Sequence, residues 1–176
     1  MNCEFLCRVL SATMMCLAAA SSCALAATLE PSTGARAPVL ALRDLQGQAR
    51  SLDEFHGKVV IVNFWATWCE PCMEEMPSLQ RLADRLADRN LVVLGVNLGE
   101  GEARIKAFTE KAGTTFPILL DRDGVARKSW KVNGMPATFV LDGNGRIRLS
   151  HVGALDFSDA GIANQIEGLL RRPKEK

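Results

Sequence analysis

The chain lacks an excess of charge of either sign. Its 176 residues carry 21 Lys and Arg against 20 Asp and Glu, a formal net charge of +1. That leaves no basic footprint of the kind nucleic-acid binding requires, so no nucleic-acid partner is expected. The polar bias of a disordered chain is missing too: 48% of the residues are apolar, enough to bury a core at this net charge. There is no internal repeat and no low-complexity tract. The length suits one domain with at most a short appendage. Histidine is scarce, with only His56 and His151.

Cysteine is present but not spread. Of the six, four fall at positions 3, 7, 16 and 23, and the other two are Cys69 and Cys72. A disulfide scaffold distributes its cysteines along the whole chain, so that class is excluded. The N-terminal four lie in a stretch with the features of a secretory signal. Arg8 supplies positive charge, and Val9 to Ala20 is an uncharged run of 12 residues dominated by Val, Leu, Met and Ala, short of the roughly 20 of a membrane span. Ala24-Leu25-Ala26 matches a cleavage site, so residues 1–26 are expected to be removed before Ala27. An uncleaved membrane anchor and a lipoprotein modified at Cys23 are the alternatives. Cleavage would leave Cys69 and Cys72 as the two cysteines of an exported, periplasmic protein, where dithiols meet oxidants rather than cytosolic glutathione.

Residues 27–37, with Pro31 and Gly34, read as a flexible linker. From 38 to 171 strands and helices alternate, and 172–176 form a short tail. Val39 to Arg43 and Ala49-Arg50 flank a turn and predict a hairpin, followed by a short helix from Ser51. Val59 to Val62 is a continuous apolar run, the pattern of a central strand buried on both faces. A helix is expected from about Glu70 to Asp88, with Met76, Leu79, Leu82, Ala83 and Leu86 inward and a kink at Pro77. Further strands are expected at 91–96, 116–120, 138–141 and 147–151, and helices at 102–112, 125–130 and 157–171. Asp142-Gly143-Asn144-Gly145 is a strong hairpin turn. The pattern implies an α/β three-layer sandwich.

The chemistry centres on Trp68-Cys69-Glu70-Pro71-Cys72. A strand ends at Trp65 and a helix starts just after Cys69, which puts the first thiol at a helix N-terminus. Unpaired N–H groups and the positive end of the macrodipole favour a thiolate there. Cys69 is therefore expected to be the exposed nucleophile, with Cys72 facing inward as the resolving thiol. Pro71 suits the first turn, where its missing N–H is not needed, and stiffens the loop between the sulfurs. An inert structural bridge is disfavoured, because a two-residue loop constrains the unfolded chain little. A zinc site is disfavoured because neither histidine has ligand spacing to the pair. Glu75 shares a helix face with Cys72 and either accepts its proton or is a solvated surface residue. Pro136, just before a strand, is either cis, leaving Met135 free to pair with an extended substrate, or an ordinary trans turn proline. Asn63 ends an apolar strand under the site and can only hydrogen-bond. Trp68 packs near the thiols, and Trp65 either joins it or is plain core.

These residues resemble the TlpA/ResA-like, also CcmG/DsbE-like, group of exported thioredoxin-fold proteins. The resemblance rests on Val62-Asn63-Phe64-Trp65-Ala66-Thr67-Trp68-Cys69-Glu70-Pro71-Cys72, on Glu75 and Pro77, on Gly95-Val96-Asn97, on 116–121 and on 134–142. It spans about Pro38 to Leu170. It implies a thioredoxin fold with a central mixed sheet, an extra N-terminal hairpin and a central insertion at about 97–115. It implies Cys69 as attacking and Cys72 as resolving thiol, an active-site role for Glu75, and a cis Pro136 beside them. Ala137 departs from the group, where a second Thr is common, at a position that contributes backbone pairing. Members are usually reductants of protein disulfides, many acting on apocytochrome c, and are kept reduced by a membrane electron donor of the DsbD/CcdA type. No cofactor is implied beyond the redox-active pair. A Cu(I)-handling protein assisting oxidase copper-site assembly is the alternative, since two thiolates suit that soft ion. A peroxidase is disfavoured, because Ala66-Thr67-Trp68-Cys69 lacks the Thr-x-x-Cys spacing.

Overall fold

The computed structural model describes residues 27–171. The leader expected over 1–26 and the tail over 172–176 lie outside the described residues. Eight strands form one sheet: β1 (Glu30–Pro31), β2 (Ala41–Asp44), β3 (Ala49–Ser51), β4 (Val59–Trp65), β5 (Leu91–Leu98), β6 (Ile118–Asp121), β7 (Ala137–Leu141) and β8 (Ile147–Val152). Their order across the sheet is β1-β8-β7-β4-β5-β6-β2-β3. β4, β5 and β6 run parallel, while β7, β8, β1 and the β2–β3 hairpin pair antiparallel. The helices are α1 (Glu70–Leu86), α2 (Glu102–Ala112), α3 (Val125–Ser129) and α4 (Ala160–Leu170).

β4 is buried at every position, Asn63 included, as the apolar run from Val59 to Val62 leads one to expect of a central strand. Its odd-numbered residues Val59, Ile61 and Trp65 join one core with α1, α2 and α4. Its even-numbered residues Val60, Val62 and Phe64 join the other with Ala126 and Trp130. Alternation along a strand thus builds both outer layers of the mixed α/β sandwich. α2 fills the connection expected as an insertion, and α1 runs on through Pro77, which removes one N–H from the helix interior.

The arm at 27–37 is not the flexible linker its composition implied. Leu29 is 1% exposed and belongs to the core beside α4. Gln165 Nε2 donates to the Leu29 carbonyl at 2.9 Å, and Ser32 N–H to Arg148 O at 2.8 Å. A leucine buried to this degree is worth about 1.5–3 kcal/mol, which outweighs the weak local preference for coil. The arm also covers the β8 edge, where an unpaired strand would invite association. Two other bounds shift for local reasons. α4 starts at Ala160 rather than Phe157, because Asp159 Oδ1 caps it by accepting from Gly161 and Ile162 N–H. β6 starts at Ile118, after Pro117, which has no N–H to give the ladder.

Candidate functional site

The site forms where β4 ends and α1 begins, at the C-terminal edge of the parallel strands. Trp65 is the last residue of β4, and Ala66 to Trp68 turn the chain into the helix, with Cys69 N–H bonded to Ala66 O at 3.2 Å. Cys69 is the N-cap of α1, and Pro71 lies within its first turn. The first thiol is therefore held at the positive end of a 17-residue helix. Cys69 and Cys72 are joined in a disulfide, with Cα atoms 5.2 Å apart.

Cys72 is fully buried, as expected of an inward thiol, but Cys69 is only 7% exposed. The expectation of an exposed Cys69 fails in the oxidised form. Its sulfur is tied to the buried Cys72, and the residue counts with the core. What faces solvent beside it is the Trp68 side chain, 63% exposed. Trp65 is plain core, its ring tilted by 40° against that of Phe108 with centroids 5.2 Å apart.

Beneath the pair lies a buried carboxylate. Glu75 follows Cys72 by three residues, on the same helix face, and is 3% exposed. Asn63 Nδ2 donates to its Oε1 at 2.7 Å, and Leu155 N–H donates to its Oε2 at 3.0 Å. Burial pushes the Glu75 carboxyl up from its ordinary 4.5 to about 7, against the lowering effect of those two donors. The solvated-surface alternative for Glu75 is thereby removed. Asn63 also donates from Nδ2 to Thr138 Oγ1 at 3.2 Å, while its own Oδ1 is buried without a partner among the described residues. That spare acceptor matters when Glu75 is neutral. An amide rotation would present Oδ1 to a protonated Glu75 and to the Thr138 hydroxyl, so both protonation states can be hydrogen-bonded.

The Met135–Pro136 peptide is cis, the expected alternative that sequence alone did not select. Pro136 is buried, Met135 is half-buried, and Gly153 N–H bonds to Pro136 O at 2.8 Å. Among the described residues, no hydrogen bond uses the Met135 N–H or carbonyl. Val152, paired with Ala137, adds a second exposed apolar side chain at this edge.

Sequence reasoning missed a second buried carboxylate. Glu100 accepts from Thr67 N–H at 2.6 Å, from the Thr67 hydroxyl, and from Asn97 Nδ2 at 2.8 Å. Its position after a parallel strand, between Gly99 and Gly101, was the available signal, since sites in α/β sheets gather at the carboxyl ends of strands. Among the described residues, no group of three or more His, Cys, Asp or Glu is placed to hold a metal ion. Nor is any helix there long and apolar enough to cross a membrane.

A family profile described as "AhpC/TSA family" matches residues 33–150. The chain is 36% identical over 128 residues to the thiol-disulfide oxidoreductase ResA of Geobacillus thermodenitrificans, covering 73% of this chain and 74% of that protein. It is 40% identical over 125 residues to the thioredoxin-like protein YneN of Bacillus subtilis, covering 69% and 72%. Among solved structures, a putative thiol:disulfide interchange protein DsbE from Chlorobium tepidum superposes with a TM-score of 0.73 at 29% identity, covering 80% of this chain and 99% of that one.

Proposed function

Because the chain belongs to the AhpC/TSA family and is a thiol-disulfide oxidoreductase of the thioredoxin fold, acting on protein disulfides, we propose that it is an exported reductant whose electrons reside in the Cys69–Cys72 pair. In the reduced protein the Cys69 thiolate attacks one sulfur of a substrate disulfide. A mixed disulfide forms and the first substrate thiolate leaves. Cys72 then attacks the Cys69 sulfur, giving its proton to the Glu75 carboxylate. The Cys69–Cys72 bond forms, the second substrate thiolate leaves, and Glu75 returns the proton to it. Two electrons pass to the substrate, and the pair ends oxidised.

The observation that carries this reading is the buried Glu75, hydrogen-bonded by Asn63 and Leu155, one helical turn below the disulfide. A proton acceptor with a pKa near the working pH suits general base catalysis. The same carboxylate, when ionised, raises the cost of a nearby thiolate. That destabilises the reduced pair and favours giving electrons away. Asn63 holds Glu75 in place, and Pro71 keeps the first helical turn that carries both sulfurs. Trp68, Met135 and Pro136 supply an apolar rim with spare backbone groups on which an extended, disulfide-bearing segment can lie.

For the substrate we favour apocytochrome c, whose C-x-x-C-H segment must be reduced before haem attachment, with reoxidised Cys69–Cys72 recharged by a membrane donor of the DsbD/CcdA type. Periplasmic location rests on the leader reading of residues 1–26. No cofactor is needed beyond the dithiol. The test is a Cys72→Ala variant expressed with its own N-terminus. Cys69 should then hold its partners as mixed disulfides that dithiothreitol releases, and mass spectrometry of the exported fraction should find a protein with a C-x-x-C segment. If no thiol-sensitive adduct forms on Cys69, the reductant reading fails.

A further inference from the structure

The turn that presents Trp68 and Cys69 is held from outside α1 and β4. Trp65 at the end of β4 pairs with Asn97 on β5, so the chain just past β5 runs alongside the turn. Glu100 sits there with its side chain 5% exposed. Its Oε2 accepts from Thr67 N–H at 2.6 Å and from Asn97 Nδ2 at 2.8 Å. Its Oε1 accepts from the Thr67 hydroxyl and faces Arg104 Nη1 at 3.8 Å on the solvent side. Both polar groups that Thr67 can donate are thus bound to one carboxylate. Such charge-assisted bonds are roughly twice as strong as neutral ones. With Ala66 O accepting from Cys69 N–H, the backbone is hydrogen-bonded on both sides of Trp68, whose side chain projects into solvent.

We propose that Glu100 is a positioning residue for thiol exchange: through Thr67 it locks the turn so that Trp68 forms a rigid wall of the substrate groove, and hydrogen-bond geometry rather than negative charge is what it contributes. This rests on the reductase reading above.

Replacement by Gln separates geometry from charge. The amide oxygen can occupy the Oε2 position and still accept from Thr67 and Asn97, while the NH2 donates to the Thr67 hydroxyl oxygen. Glu100→Ala leaves the Thr67 N–H without its partner. The probe is a synthetic peptide carrying an oxidised C-x-x-C-H motif, with the reduced full-length protein. In Glu100→Ala, kcat/KM should fall on the order of ten- to a hundredfold, mainly through a raised KM, as misplacing a substrate-positioning group does. Acrylamide quenching should rise as Trp68 loosens, because Trp65 and Trp130 are buried and Trp68 dominates the accessible signal. Glu100→Gln should recover most of both values. Thr67→Val, which removes the hydroxyl contact but keeps the N–H bond, should fall between, and it carries the test if Glu100→Ala does not fold. Unchanged KM and quenching in these variants would overturn the proposal. So would a Glu100→Gln protein as impaired as Glu100→Ala, which would assign the role to charge. A wild-type protein that leaves the peptide oxidised would instead sink the reductase reading, and this inference with it.

Discussion

Burying Glu75 has a stability consequence with a definite sign. The group ionises near 4.5 in the unfolded chain and near 7 in the native one. At about 1.4 kcal/mol per pKa unit, ionised Glu75 therefore costs the fold about 3 kcal/mol. Below about pH 4.5 the carboxyl is neutral in both states and the cost is absent. Between 4.5 and 7 the native state binds the extra proton, so stability falls as pH rises. Above about 7 the group is ionised in both states and the cost is fully present. Glu75→Gln abolishes the titration while keeping the hydrogen bonds: its oxygen can accept from Leu155 N–H, and its NH2 can donate to Asn63 Oδ1 after an amide rotation. Urea unfolding of the oxidised wild type and Glu75→Gln proteins, from pH 4.5 to 8.5, measures the difference directly. The two should be about equally stable at the acid end. The Gln protein should gain steadily to an advantage of about 3 kcal/mol near pH 8. A difference that stays flat across that range, or a wild type that is the more stable at pH 8, would refute both the burial cost and its assigned cause.

Two further outcomes follow from the same geometry. The rate at which reduced protein transfers electrons to a disulfide peptide should rise through a pKa near 7 in the wild type, and Glu75→Gln should lose that limb and drop about 10²- to 10⁴-fold in stopped-flow assays, the usual contribution of a positioned general base. Leu29→Ala should cost about 2–5 kcal/mol in denaturant unfolding, because the side chain is 1% exposed in a packed core, whereas an unattached linker would show no change.

Three features bear on how far residues alone lead. The dithiol was legible because its chemistry is local: Cys69, Glu70, Pro71 and Cys72 occupy one helix start, and strand, cap and first turn are all written in adjacent residues. The strand–helix alternation was legible for the same reason, with a continuous apolar run, Val59 to Val62, in β4 and apolar residues at three-to-four spacing in α1. Glu75 was not decided by its own neighbourhood. Helical spacing put it on the face of Cys72, but whether that face met water depended on the loop after β8, which arrives 80 residues later to donate the Leu155 N–H.

The amino-acid sequence by itself determined the α/β architecture, the position of the redox pair and the order of its two thiols along a helix start, because these follow from hydrophobic period, capping and backbone dipoles within a few residues. Only the tertiary structure decided that the 27–37 arm docks on the sheet through β1, that Glu75 is buried, and that Glu100 grips the Thr67 turn. Each of those depends on a contact between segments far apart in the chain, such as Leu29 with Gln165 or Thr67 with Glu100. A carboxylate's pKa and a turn's rigidity are set by what closes over them, and no local pattern encodes that.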